Sequence, residues 1–343
     1  MTVMLGSVST TQPSRRRHAP AADVHRLAPG HHQPVLLAEL LQTLGPRPGQ
    51  QVIDATLGGG GTSAAFLDNV LPGGRVLALD RDPVAVERAR QRFAFAGDAF
   101  RARHARFSDL GRIAAEEGLL ADIVVMDLGI SSIQLDDPER GFSFQVEGPL
   151  DMRMDPLSGG RTAADIVNQV DRDELAQLIS DFGQERHARA IARALGERRQ
   201  LKPITTTTEL AAICAGAIPR RFWPPRIHPA TRTFMALRIA VNNELEELST
   251  GLSAAIQILR PGGRLGVISF HSLEDTTAKR LLHNLAMNCV CPPPQPICTC
   301  AHRASLSLPS RRAIRPSPEE VAKNPRARSA LLRTAVRLPQ NAT

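Results

Sequence analysis

The chain has 343 residues, 42% of them hydrophobic, and a formal net charge of +8. That apolar fraction supplies a full core and excludes a disordered protein, while no run of about 18 apolar residues marks a membrane span. The charge is clustered: residues 303–343 hold nine Lys/Arg against two Glu, and residues 184–232 hold ten against three, which suits an anionic partner such as nucleic acid.

Residues 1–30 are polar and aperiodic, with four Arg against one Asp, and read as a disordered basic tail. Arg15, Arg16 and Arg17 have no apolar segment behind them, so no secretory signal is expected. Nothing in the use of five cysteines asks for an oxidising compartment, and a cytoplasmic protein is expected. From residue 51 the pattern becomes regular. Strands are predicted over 52–55, 75–80, 100–104 and 122–127. Helices fall between them over 63–71, 83–93 and 109–118, the second opened by Asp82-Pro83. This alternation specifies a parallel, doubly wound sheet.

The rhythm stops for about a hundred residues after Leu128. A loop comes first, then helices over 171–182, 185–199 and 207–217 and a Pro-rich turn over 220–229. A long helical stretch over 231–259 is expected to break at Thr250-Gly251. Pro261-Gly262-Gly263 leads into a strand over 264–270, and a helix over 273–288 follows. The last strand, 330–337, has no room for a crossover helix before it. An antiparallel hairpin with a partner in 307–314 is predicted. The expected organisation is a sheet domain over 31–135 and 235–343, interrupted by a helical insertion over 136–234.

The chemistry gathers at strand ends. Residues 54–62 read Asp-Ala-Thr-Leu-Gly-Gly-Gly-Gly-Thr, a glycine turn that lets backbone lie close against a ligand. Asp80 ends the second strand 22 residues after Gly58, where an acidic side chain meets ribose hydroxyls. Together they point to an adenosine-containing cofactor. NAD folds commonly carry Gly-x-Gly-x-x-Gly, but here Ser63 stands where the third glycine belongs. The long insertion after the fourth strand and the terminal antiparallel pair favour S-adenosylmethionine instead. Asp54, Asp80 and Asp127 suit a cationic sulfonium. Asp127, with Ser131 and Ser132 more weakly, is the candidate group facing the methyl acceptor. The fold class is therefore α/β: a class I (Rossmann-like) methyltransferase sheet with an antiparallel C-terminal hairpin and an inserted all-helical subdomain.

Further stretches are more specific. Residues 32–37 (His-Gln-Pro-Val-Leu-Leu), 127–137 (Asp-Leu-Gly-Ile-Ser-Ser-Ile-Gln-Leu-Asp-Asp) and 139–144 (Glu-Arg-Gly-Phe-Ser-Phe) come first. Residues 148–156 (Gly-Pro-Leu-Asp-Met-Arg-Met-Asp-Pro), 228–234 (His-Pro-Ala-Thr-Arg-Thr-Phe) and 241–248 (Val-Asn-Asn-Glu-Leu-Glu-Glu-Leu) follow. Residues 269–275 (Ser-Phe-His-Ser-Leu-Glu-Asp) and 324–329 (Asn-Pro-Arg-Ala-Arg-Ser) complete the series. With the glycine turn, these resemble the RsmH (MraW) family of bacterial 16S rRNA cytosine-N4-methyltransferases. The resemblance implies N4-methylation of a cytidine in the decoding region of 16S rRNA of the small ribosomal subunit. It further implies donor contacts from Gly60, Gly61, Thr62, Asp80, Phe107, Asp127 and Gln134, with Phe107 over the adenine. Thr62 departs from the family, many members of which carry His there. The N-terminal tail and the cysteine segment lie outside the shared pattern.

In the insertion, Arg220, Arg221, Arg226, His228 and Arg232 are candidate RNA contacts beside Phe222 and Trp223, which serve equally well as base-stacking rings or as core. Asp151, Arg153 and Asp155 form an ion network or touch substrate, and His271 is similarly open. Cys214 is expected in the core. Cys289, Cys291, Cys298 and Cys300 form two Cys-x-Cys pairs, closer than the usual Cys-x₂₋₄-Cys of zinc sites, so they are weak metal candidates and no metal is assigned. Three rival readings stay open. A DNA or protein amine is the nearest alternative acceptor. An NAD-type oxidoreductase would need a fully parallel sheet, and a non-catalytic RNA-binding module would transfer no methyl group. Oligomeric state is open too, a homodimer among the options.

Overall fold

The computed structural model describes residues 34–292, 295, 297–300 and 302–339. The basic tail and the His32-Gln33 start of the first family stretch lie outside the described residues. Helix α1 (Leu37–Leu44) comes before the sheet and was not anticipated, although Leu37, Leu40, Leu41 and Leu44 share one helical face and Gly45 closes it in the left-handed region. There follow β1 (Gln51–Asp54), α2 (Gly61–Val70), β2 (Arg75–Asp80), α3 (Pro83–Arg92), β3 (Phe100–His104), α4 (Leu110–Glu116) and β4 (Ala121–Asp127). Strands 75–80 and 100–104 match their predicted limits residue for residue.

The next block is helical: α5 (Ser132–Asp136), α6 (Ala163–Gln169), α7 (Arg172–Gly183), α8 (Ala188–Leu201), α9 (Thr207–Ala217) and α10 (Thr231–Asn242). Helix α6 was not expected. Its signature is nevertheless in the sequence, because Thr162 and Asp165 form a capping box, each side chain accepting from the other's backbone N–H. The sheet resumes after α11 (Glu244–Ile258) with β5 (Leu259–Ser269), followed by α12 (Ser272–Leu285), β6 (Leu306–Ser307), α13 (Pro318–Lys323) and β7 (Leu331–Arg337).

The break in the long helical stretch is at Asn243, in the left-handed conformation with φ 52°, and not at Thr250-Gly251 as predicted. Gly251 is buried inside α11 because Phe107 packs against it. A Cβ there would overlap the Phe107 ring, so that glycine makes room for a neighbour and ends nothing.

The sheet order is β3-β2-β1-β4-β5-β7-β6. Strands β1 to β5 run parallel, and β7 is antiparallel to β5 and to β6. The antiparallel closure is present, with β6 at the start of the predicted partner segment and a further bridge from Ile314 to Leu332. A fully parallel sheet, which the oxidoreductase reading required, is not what this chain builds. Two apolar layers cover the sheet, one gathered around Leu40, Phe66, Val76 and Phe93, the other around Leu79, Ile113, Met126 and Leu252. Each fully buried side chain of this size contributes about 1.5–3 kcal/mol.

A third core lies off the sheet. It joins Phe142, Leu150 and Met152 to Ile166, Ile179, Ile191, Leu210 and Cys214, and continues into α10 through Phe234 and Leu237. Ile130, from the loop after β4, and Leu135, in α5, pack against it. Among the described residues, no helix is long and apolar enough to cross a membrane.

Candidate active site

Strands β2, β1 and β4 are neighbours, and each ends in an aspartate: Asp80, Asp54 and Asp127. The strand order reverses direction between β1 and β4, the crevice where open α/β sheets take their ligands. A cavity of about 990 Å³ opens there. Gly61, Thr62, Asp80, Phe107, Asp127, Ser131, Ser132 and Gln134 all line it. Gly60 does not line the wall; it starts α2 at φ 74°, a conformation that favours glycine. The expected donor contacts other than Gly60 are thus brought together.

The three carboxylates are held differently. Asp54 is fully buried and accepts from Ser63 Oγ at 2.6 Å; burial raises its pKa against that bond. Asp80 accepts the Gly58 N–H on Oδ2 at 2.7 Å and the Asp82 N–H on Oδ1 at 2.8 Å. It therefore ties the glycine turn to the head of α3. Burial pushes its pKa up to about 6, with these two N–H donors pulling the other way. Asp127 donates its own N–H to Thr56 Oγ1 at 2.6 Å, but its Oδ1 is closed off from solvent and has no hydrogen-bond partner among the described residues. Burial, with the charges of Asp54 and Glu274 added, pushes the Asp127 carboxyl up to about 8.

Ser131 caps α5 by accepting from the Gln134 N–H at 3.3 Å, while Gln134 Oε1 accepts the Ser131 N–H at 3.1 Å. The other end of the Gln134 amide donates to Asp82 Oδ2 at 2.9 Å. Both ends of that side chain are thus engaged inside the protein, so Gln134 shapes the cavity wall and fixes the loop that carries Ser131 and Ser132.

Sequence reasoning gave no role to Arg140, whose importance arises only in three dimensions. Its Nη1 donates to Asp82 Oδ2 at 2.6 Å, and its Nη2 donates to the carbonyls of Arg153 and Met154. Asn242 holds the same strap, accepting the Met154 N–H and donating to the Met152 carbonyl, where Met152 sits at φ 63°. Asp151 forms an ion pair with Arg153 at 2.6 Å, and Asp155 lies in hydrogen-bond contact with His104 Nε2 at 3.1 Å, so these three residues find their partners within the protein. His271 caps α12 and lies 3.0 Å from Glu274. Glu274 stays below the usual carboxylate range: burial opposes this, but His271 and the Arg238 charge outweigh it.

The arginine-rich candidates sit apart from the cavity, on the helical block. Arg220 and Arg221 lie in a 3-10 turn (Arg220–Phe222), with Arg221 stacked 4.8 Å from the ring centre of Phe222. Phe222 is 52% exposed. Trp223 is anchored instead, its indole N–H donating to the Ile218 carbonyl at 2.9 Å, with the ring against the third core. His228 packs on Phe144 at 4.9 Å. Arg232 is partly committed to Glu185 at 3.8 Å and to the Gln184 carbonyl. Cys214 is buried in α9 as expected, and burial pushes its thiol up to about 12.

Comparison with known proteins identifies the family. The model of the MraW methylase family matches residues 30–338. The ribosomal RNA small subunit methyltransferase H of Thermomicrobium roseum is 52% identical over 308 residues, which cover 90% of this chain and 94% of that protein. The enzyme of the same name from Trichlorobacter lovleyi is 49% identical over 309 residues, covering 90% and 98% of the two chains. That from Geobacter sulfurreducens is 49% identical over 308 residues, covering 90% and 99%. With a sheet, a glycine turn and three strand-end carboxylates at one cavity, and with relatives this similar along nearly the whole chain, this protein belongs to the MraW methylase family.

Proposed function

We propose that this chain transfers the methyl group of S-adenosylmethionine to N4 of a cytidine in the decoding region of 16S rRNA in the small ribosomal subunit, acting in the cytoplasm. The observation that carries the reading is Asp127, its Oδ1 unpartnered among the described residues, lining the same cavity as Gly58 and Asp80. The donor set fits the cofactor: Asp80 suits a ribose diol, and Phe107, seated against Gly251, offers a face for adenine. S-adenosylmethionine supplies an electrophilic methyl on a positively charged sulfur. Gly61, Thr62 and Asp80 would hold it.

Cytosine N4 is a poor nucleophile because its lone pair is delocalised into the ring. The protein must therefore orient N4 in line with the methyl, away from water. Asp127 accepts a hydrogen bond from the amine and so favours the pyramidal nitrogen, with the Gly129–Ser132 backbone as the adjacent wall. Held so, N4 would take the methyl on its lone pair, the donor keeping the electrons of its former sulfur–carbon bond. The nitrogen then sheds one proton, which the ionised Asp127 carboxylate accepts. The helical block over 136–234 supplies the RNA surface. Arg220, Arg221 and Arg226 contact phosphates, and Phe222 is a ring for an unpaired base.

The test is methyl transfer from radiolabelled donor to small subunits from cells lacking the enzyme, with nucleoside analysis. Label in N4-methylcytidine is expected. Label elsewhere in the RNA would sink the choice of atom, and label only in DNA or protein would sink the choice of acceptor.

A further inference from the structure

The segment between α12 and β6 carries four cysteines for which the methyl-transfer reading has no use. It leaves the end of α12 and returns beside the edge of the sheet. Its base is fastened by the Ser305 N–H donating to the Leu285 carbonyl at 2.8 Å, and by the Ala304 N–H donating to Asn288 Oδ1 at 3.4 Å. Beyond that base the segment has neither helix nor strand among its described residues, and no apolar core of its own: Val290 and Ile297 are exposed. Something else must hold it together.

The four sulfurs supply an answer. Cys298 and Cys300 Sγ are 3.5 Å apart, Cys300 and Cys289 3.8 Å, and Cys291 and Cys298 4.0 Å, with all four within 4.8 Å of one another. A disulfide needs about 2.05 Å, so none of these contacts is one. Four thiolates placed tetrahedrally about 2.3 Å from Zn²⁺ would stand about 3.8 Å from each other, which is the spacing seen here. The short Cys-x-Cys spacing that weakened this reading in the sequence does not prevent the convergence. Two such pairs from opposite arms of the segment put their sulfurs at one point.

The backbone is arranged for thiolates as well. The Val290 N–H donates to Cys300 Sγ at 3.5 Å and the Cys291 N–H to Cys289 Sγ at 3.4 Å, contacts that stabilise negative sulfur. Four sulfurs this close cannot all ionise without a cation between them. His302 is not the fourth ligand, since its Nε2 is taken up by the Asn284 carbonyl at 3.0 Å.

We propose that Cys289, Cys291, Cys298 and Cys300 form a structural Zn²⁺ site that closes the segment between α12 and β6. All four positions of a tetrahedral ion are filled by protein, so the site is a clip with no place for water or substrate. On binding, the thiols still protonated release their protons to solvent. The ion ties both arms of the segment to each other and so fixes the approach to β6, the edge strand.

The experiment is elemental analysis of the full-length protein purified without chelator, followed by titration with an organomercurial in the presence of a zinc-sensitive dye. One zinc per chain is expected, released as four of the five thiols react, with buried Cys214 the slow one. A Cys298→Ser/Cys300→Ser variant should retain the far-ultraviolet circular dichroism of a folded chain and contain no zinc. Should that variant not fold, Co²⁺ exchanged into the wild-type protein gives an independent reading: the visible bands and thiolate charge transfer of a tetrahedral tetrathiolate site. A reduced, folded protein that neither contains zinc nor takes it up would overturn the proposal. So would a disulfide among the four cysteines, or iron in place of zinc.

Discussion

Asp80 and Asp127 end strands on either side of β1 and line the same cavity, but the chain treats them differently. Asp80 has one backbone N–H on each oxygen, from Gly58 and Asp82, so its charge is distributed into a turn and a helix head. Asp127 has an oxygen with no hydrogen-bond partner among the described residues. Burial raises both groups, and each has two carboxylates nearby; the two N–H donors hold Asp80 at about 6, while Asp127, without such donors, reaches about 8. Leaving a buried polar atom unpaired costs about 1–3 kcal/mol. A cost of that size at a cavity wall marks the group that waits for a ligand, whereas the satisfied carboxylate marks the group that is already part of the scaffold. In the proposed reaction one is a holder, the other a reactant.

Replacing each carboxylate should separate the two roles. Asp127→Asn keeps the shape but cannot take a proton, and single-turnover transfer to small subunits should fall by about 10²- to 10⁴-fold. Donor affinity should change far less. Unchanged turnover with intact donor binding would remove Asp127 from the chemistry. At the other end, Asp80→Ala removes charge-assisted hydrogen bonds of about 1.5–3 kcal/mol, and calorimetry should show donor binding weaker by about 10- to 150-fold. Asp80→Asn serves as the check that the Gly58 turn itself survives. A loss well under tenfold would make Asp80 a structural cap alone.

The pH dependence sharpens the contrast. Folding raises the Asp127 pKa from 3.8 to about 8, so its proton favours the folded state and that contribution is lost as pH rises through 8. A sulfonium cation beside it favours the ionised form. Affinity for S-adenosylmethionine should therefore grow roughly tenfold between pH 7 and 9, while S-adenosylhomocysteine, a neutral thioether, should lack that step. Equal pH profiles for the two ligands would mean that Asp127 does not sense the sulfur charge. The smallest effect belongs to the helical block, which should be indifferent to the donor. Arg221→Ala should lower the salt slope of subunit binding by about one and leave donor affinity unchanged. A change in donor affinity would show that the two surfaces are not separable.

The cavity was largely legible in the sequence because its parts are local. Strand ends carry the carboxylates, glycines mark the turn, and Asp82-Pro83 announces α3 through a side-chain cap. What escaped was what depends on packing between distant segments. Gly251 reads as a breaker in one dimension and is a seat for Phe107 in three, while Asn243, a residue that tolerates the left-handed conformation, turns the chain. Phe222 and Trp223 are adjacent and chemically alike, yet only the tertiary environment sends one to solvent and the other to the Ile218 carbonyl. The Gln134 amide has the right position for a ligand contact, but the sequence does not reveal that Asp82 already holds it.

Arg140 joins these halves. Its guanidinium touches Asp82, next to the donor cavity, and the 153–154 strap of the helical block, so a shift of that block transmits to the residue that anchors both Gln134 and the head of α3. Under the proposed function, that side chain stands between the donor cavity and the RNA surface. Whatever factor RNA gains in affinity from a bound donor, the donor must gain from bound RNA.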